Sequence, residues 1–403
     1  MPRFLKGSES HMLLEESQTE PVVETGAEIL IDALADNGVD SLFGYPGGAV
    51  LPLYDALYTK SFNNILARHE QGAIHAAEGY AKTTGKTGVV CVTSGPGAGN
   101  VVTGIADAMM DSVPLVVLTG QVTRSAIGTN AFQELDIVRV SKPITKANFQ
   151  VQDVNNLQAT VNKAFKIAQS GRKGPVLIDL PKDVSAAKTS FTTNTDQIYK
   201  AGGCKLRQKQ KSTLKAALDQ LAQASRPLVV IGAGVAAAGA THEFQRFIQN
   251  WQLPVVSTLL GLGSFPNHDP LFLGMGGMHG TYSANMALAD CDFLLNIGSR
   301  FDDRLIPNAG EFAKDKTIVH IDIDTNELNK ILPADFSVRA DAKAALKAMN
   351  RLPVGNRTST DWLAINEIRK QSRTKPSIHT TDQFDPKAVI PPLVKPLMVK
   401  QSS

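Results

Sequence analysis

Beyond Thr25 the hydrophobic positions alternate between helical stripes and short continuous apolar runs. Ile29, Leu30, Ala33 and Leu34 share one face of a helix predicted over 27–35, which Gly38 ends. Further helices are predicted over 51–57, 71–83, 101–110 and 157–169. Strands are predicted between them at 41–44, 65–68, 88–93, 114–119 and 175–180. Strands that are apolar on both faces and separated by helices imply a doubly wound parallel sheet.

Residues 190–211 lack apolar periodicity and contain Gly202-Gly203, the pattern of an interdomain linker. A second α/β unit follows. Its helices are predicted at 214–221, 242–250 and 342–349, and its strands at 227–231, 254–258, 292–297 and 318–323. Residues after about 355 are polar and read as irregular, with Pro391, Pro392 and Pro396 near the end. The expected organisation is a disordered extension (1–21), an N-terminal domain (22–189), a linker (190–211), a central domain (212–352) and an irregular tail (353–403).

Composition narrows the class. A hydrophobic share of 43% fills ordinary cores, which excludes a disordered chain. A net charge of +3 without a long Lys/Arg block argues against nucleic acid or an anionic membrane as partner. Cys91, Cys204 and Cys291 are scattered, which argues against a disulfide scaffold or a zinc site and for a reducing compartment. The first twenty residues have no apolar secretory core, and the longest apolar run, 228–240, is interrupted by glycine. These features point to a cytoplasmic protein without a membrane span.

The chemistry gathers at predicted strand ends. Glu70, in Arg68-His69-Glu70-Gln71, sits where a strand gives way to a helix carrying the small residues Gly72, Ala73, Ala76, Ala77 and Gly79. Alone, such a Glu reads as a solvated cap. Upstream lies Tyr45-Pro46-Gly47-Gly48-Ala49 and downstream Thr93-Ser94-Gly95-Pro96-Gly97-Ala98-Gly99-Asn100. Three consecutive strand ends with loop chemistry form one sheet edge suited to a ligand.

These motifs, with Ala131-Phe132-Gln133-Glu134, resemble thiamine-diphosphate enzymes, and most closely the acetolactate synthase large subunits. The likeness runs over roughly residues 22–350. It implies a pyrimidine-binding N-terminal domain and a flavin-binding central domain. It also implies a catalytic Glu70 hydrogen-bonded to a pyrimidine nitrogen of thiamine diphosphate, with Gly48 and Gln133 as further catalytic positions and Phe132 and Gln133 lining a substrate pocket. Gly274-Met275-Gly276-Gly277-Met278-His279-Gly280, Gly298-Ser299-Arg300-Phe301-Asp302-Asp303-Arg304 and His320-Ile321-Asp322-Ile323-Asp324 resemble the family's FAD-binding elements. By that resemblance Met275, His279, Gly280, Arg300, Asp322, Ile323 and Asp324 line the flavin, and Arg172 reaches it from the first domain. Arg300 also suits a 2-ketoacid carboxylate, which a guanidinium grips bidentately. Gly232-Ala233-Gly234 after a strand is a weak dinucleotide signal, because the third glycine is displaced to Gly239.

The resemblance stops at one point. The family holds the diphosphate through Mg²⁺ on a Gly-Asp-Gly motif with a later Asn, and these 403 residues contain no Gly-Asp-Gly. No metal ligands are therefore expected. The domain that would carry them is expected to be missing, as if reading ended early or in a shifted frame. The family's active site lies between subunits, so the expectation is a subunit inactive alone, forming a homodimer or pairing with a complete copy, and open to a regulatory small subunit. The parent reaction joins two 2-ketoacids on the route to branched-chain amino acids. The alternatives are a non-catalytic FAD-binding or association module, and a related flavin enzyme such as pyruvate oxidase.

Overall fold

The computed structural model describes residues 22–60, 62–191 and 206–372. The predicted extension 1–21, most of the linker, Cys204 and the tail from 373 lie outside the described residues. The chain forms two compact units. Each is a six-stranded, all-parallel sheet with helices on both faces, as the apolar pattern predicts.

The strands of the N-terminal unit are β1 (Val22–Thr25), β2 (Leu42–Tyr45), β3 (Asn64–Leu66), β4 (Gly88–Val92), β5 (Leu115–Gln121), β6 (Ala147–Gln150), β7 (Pro175–Pro181) and β8 (Lys188–Phe191). The main sheet runs β3-β2-β4-β5-β7-β6, and β1 and β8 pair separately as an antiparallel ribbon. Strand β8 takes in Ser190 and Phe191, so the predicted linker loses its first residues to a strand. It also loses its last residues to the helix Gln208–Leu221.

Strand pleating explains the burial. In β4, Val89 and Cys91 face a core built with Ile29, Leu34, Val161 and Phe165, whereas Val90 and Val92 face a second core with Ala73, Ile74, Ala77 and Ile105. Burial without a charged neighbour pushes the Cys91 thiol up to about 12, so it behaves as a small core hydrophobe. Thr25 starts the first helix with a capping box to Glu28, whose carboxylate accepts from Thr25 N at 2.7 Å.

The central unit holds β9 (Pro227–Ile231), β10 (Val255–Ser257), β11 (Phe272–Met275), β12 (Phe293–Ile297), β13 (Thr317–Asp322) and β14 (Phe336–Arg339), in the order β11-β10-β9-β12-β13-β14. Val229 and Ile231 point into one core with Phe244, Phe247 and Trp251, while Leu228 and Val230 point into the other. Strands β1, β6, β8, β11 and β14 are additional to the predicted set; β6, β11 and β14 are edge strands without full burial.

The region after 355 departs from its irregular reading. Ser359 caps a helix at Thr360–Gln371, and Trp362 on its first turn is buried, donating from Nε1 to Pro227 O at 2.9 Å. A single large aromatic in a polar segment supplies the anchoring area that periodicity could not show.

Candidate functional site

In the N-terminal unit the strand order reverses between β2 and β4, which opens a crevice at their carboxyl ends. The loop after β2 packs directly on the loop after β4. A side chain on Gly47 would come within 2.4 Å of Thr93 Cβ, and Ala49 N donates to Thr93 Oγ1 at 3.3 Å. A side chain on Gly48, by contrast, would meet nothing within 4 Å, so this position faces open space.

Glu70 is the first residue of the helix Glu70–Thr84, behind the N-cap His69. It is buried rather than a solvated cap. A carboxylate there is favoured by the positive end of the helix. Its Oε2 accepts from Asn100 Nδ2 at 3.0 Å, and its Oε1 has no hydrogen-bond partner among the described residues. Gly97 lies opposite, where an added Cβ would be 3.5 Å from Oε1 and 2.8 Å from Thr93 Cγ2.

Gln133 joins the same edge through its backbone. It adopts φ 61°, and a side chain on Gly95 (φ 58°) would strike its carbonyl at 2.8 Å. Only glycine allows this approach. Phe132 beside it is 88% exposed. The loop is tied back by Glu134, whose carboxylate accepts from Gly128 N and Ala131 N, and by Gln121 Nε2 donating to Leu135 O at 2.8 Å. The structure thus brings Glu70, Gly48 and Gln133 to one edge, linked through Thr93, Gly95 and Gly97.

Sequence reasoning passed over Asp179. It is wholly buried within β7 and accepts from Thr119 Oγ1 (2.8 Å), Gln150 Nε2 (2.9 Å) and Gln121 Nε2 (3.2 Å). Burial pushes its carboxyl up to about 6, against the pull of those donors. On another face, His75 Nδ1 lies 2.6 Å from Glu78 Oε2 and 3.8 Å from Asp107 Oδ2. These three have the spacing of metal ligands, which the sequence reading did not foresee, although His75 and Glu78 already pair with each other.

In the central unit the order reverses between β9 and β12. Gly232 and Gly234 press on the turn after β12: a Cβ on Gly232 would lie 2.2 Å from Gly298 O, and Gly234 N donates to that oxygen at 2.9 Å. The glycines seen in sequence therefore serve backbone contact. The loop carrying Met275, His279 and Gly280 docks on the loop carrying Arg300, because Met278 N donates to Arg304 O at 2.8 Å and a side chain on Gly277 would meet that oxygen at 2.4 Å. His279 is exposed, whereas Met275, Gly280 and Arg300 are half-buried. Asp322 is buried at the end of β13 and accepts from Asp324 N at 2.8 Å, which turns the chain through Ile323.

Arg172 belongs to the N-terminal unit. Its guanidinium donates to Ser112 Oγ (2.8 Å), Met110 O (3.2 Å) and Met109 O (3.4 Å), the carboxyl end of the helix Val102–Asp111. This is a favourable place for a cation.

The pattern described as "Thiamine pyrophosphate enzyme, N-terminal TPP binding domain" matches residues 24–140, and the one described as "Thiamine pyrophosphate enzyme, central domain" matches 214–349. The chain belongs to the thiamine pyrophosphate enzyme family. Among relatives of this thiamine pyrophosphate enzyme chain, the acetolactate synthase large subunit of Lactococcus lactis is 45% identical over 90% of the chain and 62% of its own length. That of Parasynechococcus marenigrum is 47% identical over 82% of the chain and 54% of its own length. Acetolactate synthase 3, chloroplastic, of Brassica napus is 46% identical over 81% of the chain and 50% of its own length. The chain thus spans about half to two thirds of the relatives it matches. Among the described residues no helix is long and apolar enough to cross a membrane.

At the N-terminal crevice the buried Glu70 carboxyl keeps one oxygen without a hydrogen-bond partner among the described residues, and Gly48 faces open space, an arrangement with room for a ligand that carries a hydrogen-bond donor.

Proposed function

We propose that this chain supplies the pyrimidine half of a thiamine diphosphate site and the flavin lobe of an acetolactate synthase large subunit. The observation that carries the reading is Glu70, buried at a helix start with one oxygen bonded to Asn100 and the other without a partner among the described residues. Bound thiamine diphosphate would supply the carbanion chemistry by which two pyruvates give 2-acetolactate and CO2. Glu70 would hold a proton at a pyrimidine ring nitrogen, and Gly48 would leave space for the cofactor and substrate. Gln133, with Phe132 beside it, would meet the 2-ketoacid.

In the central unit Met275, His279, Gly280, Arg300, Asp322, Ile323 and Asp324 would hold FAD at the β9–β12 crevice. Arg300 would also receive a 2-ketoacid carboxylate. Mg²⁺ and the diphosphate would be held by residues outside these 403. The inferred setting is cytoplasmic, and a regulatory small subunit is a further candidate partner. The names of the relatives favour acetolactate synthase over pyruvate oxidase.

The test is complementation. A complete acetolactate synthase large subunit, disabled at its own counterpart of Glu70, is co-expressed with this chain. Acetolactate formation that returns with the wild-type chain and not with Glu70→Gln supports the reading; no return with either overturns it.

A further inference from the structure

The carbonyl of Ser299 immediately precedes Arg300, and two side chains inside the central sheet hold it. Asn296 Nδ2 donates to it at 2.7 Å and His320 Nε2 at 3.1 Å. Both residues are wholly buried, Asn296 in β12 and His320 beside it in β13, where their backbones pair. A carbonyl oxygen only accepts, so Nε2 carries the imidazole proton and Nδ1 is left as an acceptor. That Nδ1 and Asn296 Oδ1 are both buried without a hydrogen-bond partner among the described residues. Unpaired buried acceptors are destabilising, and an apolar pair like the surrounding Leu295, Ile297, Val319 and Ile321 would avoid them. The hydrogen bonds these two polar side chains make both go to that one carbonyl.

What they grip is the turn that leaves the crevice. Gly298 adopts φ 61° against Gly234, and Ser299 is buried. The Phe301 ring then packs edge-on against the His320 imidazole, with centroids 4.9 Å apart. Arg300 lies between these two anchors. It is half-buried; its backbone carbonyl accepts from Ser299 Oγ at 3.1 Å, and its guanidinium makes no hydrogen bond or ion pair with the described residues. A guanidinium at a ligand crevice gains most when its backbone does not wander.

We propose that Asn296 and His320 are positioning residues, which hold the Ser299 carbonyl from within the sheet and so fix Arg300 for the flavin bound at the β9–β12 crevice. The flavin part rests on the function proposed above; the positioning part stands on the geometry alone.

The experiment uses the full chain with His320→Leu, His320→Gln and Asn296→Leu, the last covering the case in which His320→Leu does not fold. Two readouts are taken. Hydrogen exchange of the 299–301 amides is measured without ligand, and FAD affinity by quenching of flavin fluorescence. With either Leu variant, exchange at the turn should quicken while the strand amides of β9 stay protected, and FAD affinity should fall about tenfold. Gln at 320 retains a donor near the Nε2 position and should restore most of both. Turn amides as protected in the folded Leu variants as in the wild type overturn the positioning role whether or not FAD binds. FAD bound equally by wild type and a loosened variant overturns the link to the flavin. A wild-type chain that ignores FAD refutes the flavin reading itself, and the exchange result still decides the positioning role.

Discussion

Asn100 Nδ2 and Glu70 Oε2 lie 3.0 Å apart and join the glycine loop after β4 to the helix start after β3. The second carboxyl oxygen has no hydrogen-bond partner among the described residues. Glu70→Gln keeps an acceptor for Asn100, so thermal stability should change by under about 1 kcal/mol. Complementation of a disabled large subunit should nonetheless fall by about 100-fold or more, the scale of a lost proton-transfer group. Asn100→Ala should do the reverse, lowering stability by about 1–2 kcal/mol while leaving partial complementation. Thermal melts and acetolactate assays on both variants separate the two effects.

Gly95 is held at φ 58° with the Gln133 backbone against it. Gly95→Ala places a methyl 2.8 Å from the Gln133 carbonyl in a backbone region that alanine disfavours. The substitution should cost at least about 1 kcal/mol and displace the Gln133 loop. Limited proteolysis should then cut near the exposed Phe132 sooner than in the wild type, and unaltered cleavage would count against the contact.

The central strands were legible in sequence because both faces are covered: β4, β5, β7, β9 and β12 are buried along their whole length and so appear as apolar runs. The edge strand β6 is half-buried at every position and leaves no such run. At the candidate site, motifs pointed to Glu70, Gly48 and Gln133, but the contacts around them left no such sign. Asp179 and His320 look like ordinary breaks in apolar strands, and only the fold shows which carbonyls and amides they serve. A polar residue inside an otherwise continuous apolar run, as in Ile318-Val319-His320-Ile321, was the one available signal.

Asp179 makes the N-terminal unit less stable toward neutral pH. Burial raises its carboxyl from 3.8 to about 6 in the folded chain, so between those values the folded state binds more protons than the unfolded. Stability falls as pH rises through that window, by about 3 kcal/mol in all. Asp179→Asn should flatten this slope. Urea denaturation followed from pH 4 to 7 measures it, and an unchanged slope in the variant would assign the effect to other groups.

His320 acts on the central unit with the opposite sign. Burial lowers the imidazole below its ordinary 6.5, so below that pH the unfolded chain takes up a proton that the folded chain refuses. Stability of this unit should fall as pH drops from about 6.5, and His320→Gln should remove that part of the fall. Hydrogen exchange of β12 and β13 amides at pH 5 and 7 reads it locally.

Trp362 fastens the helix Thr360–Gln371 to the base of β9 through its bond to Pro227 O, with the Arg369 guanidinium 5.5 Å from its ring centroid. Trp362 and Asn366 are the buried residues of this helix, and Trp362 is the only large apolar one of the two. Trp362→Ala should cost about 3–5 kcal/mol and release the helix. Trp362→Phe keeps much of the apolar area and loses the hydrogen bond, for a cost of about 1–2 kcal/mol. The chain has two tryptophans, Trp251 and Trp362. With Trp251→Phe as background, Trp362 emission should be blue and poorly quenched by iodide. Red, freely quenched emission would mean that the helix does not dock.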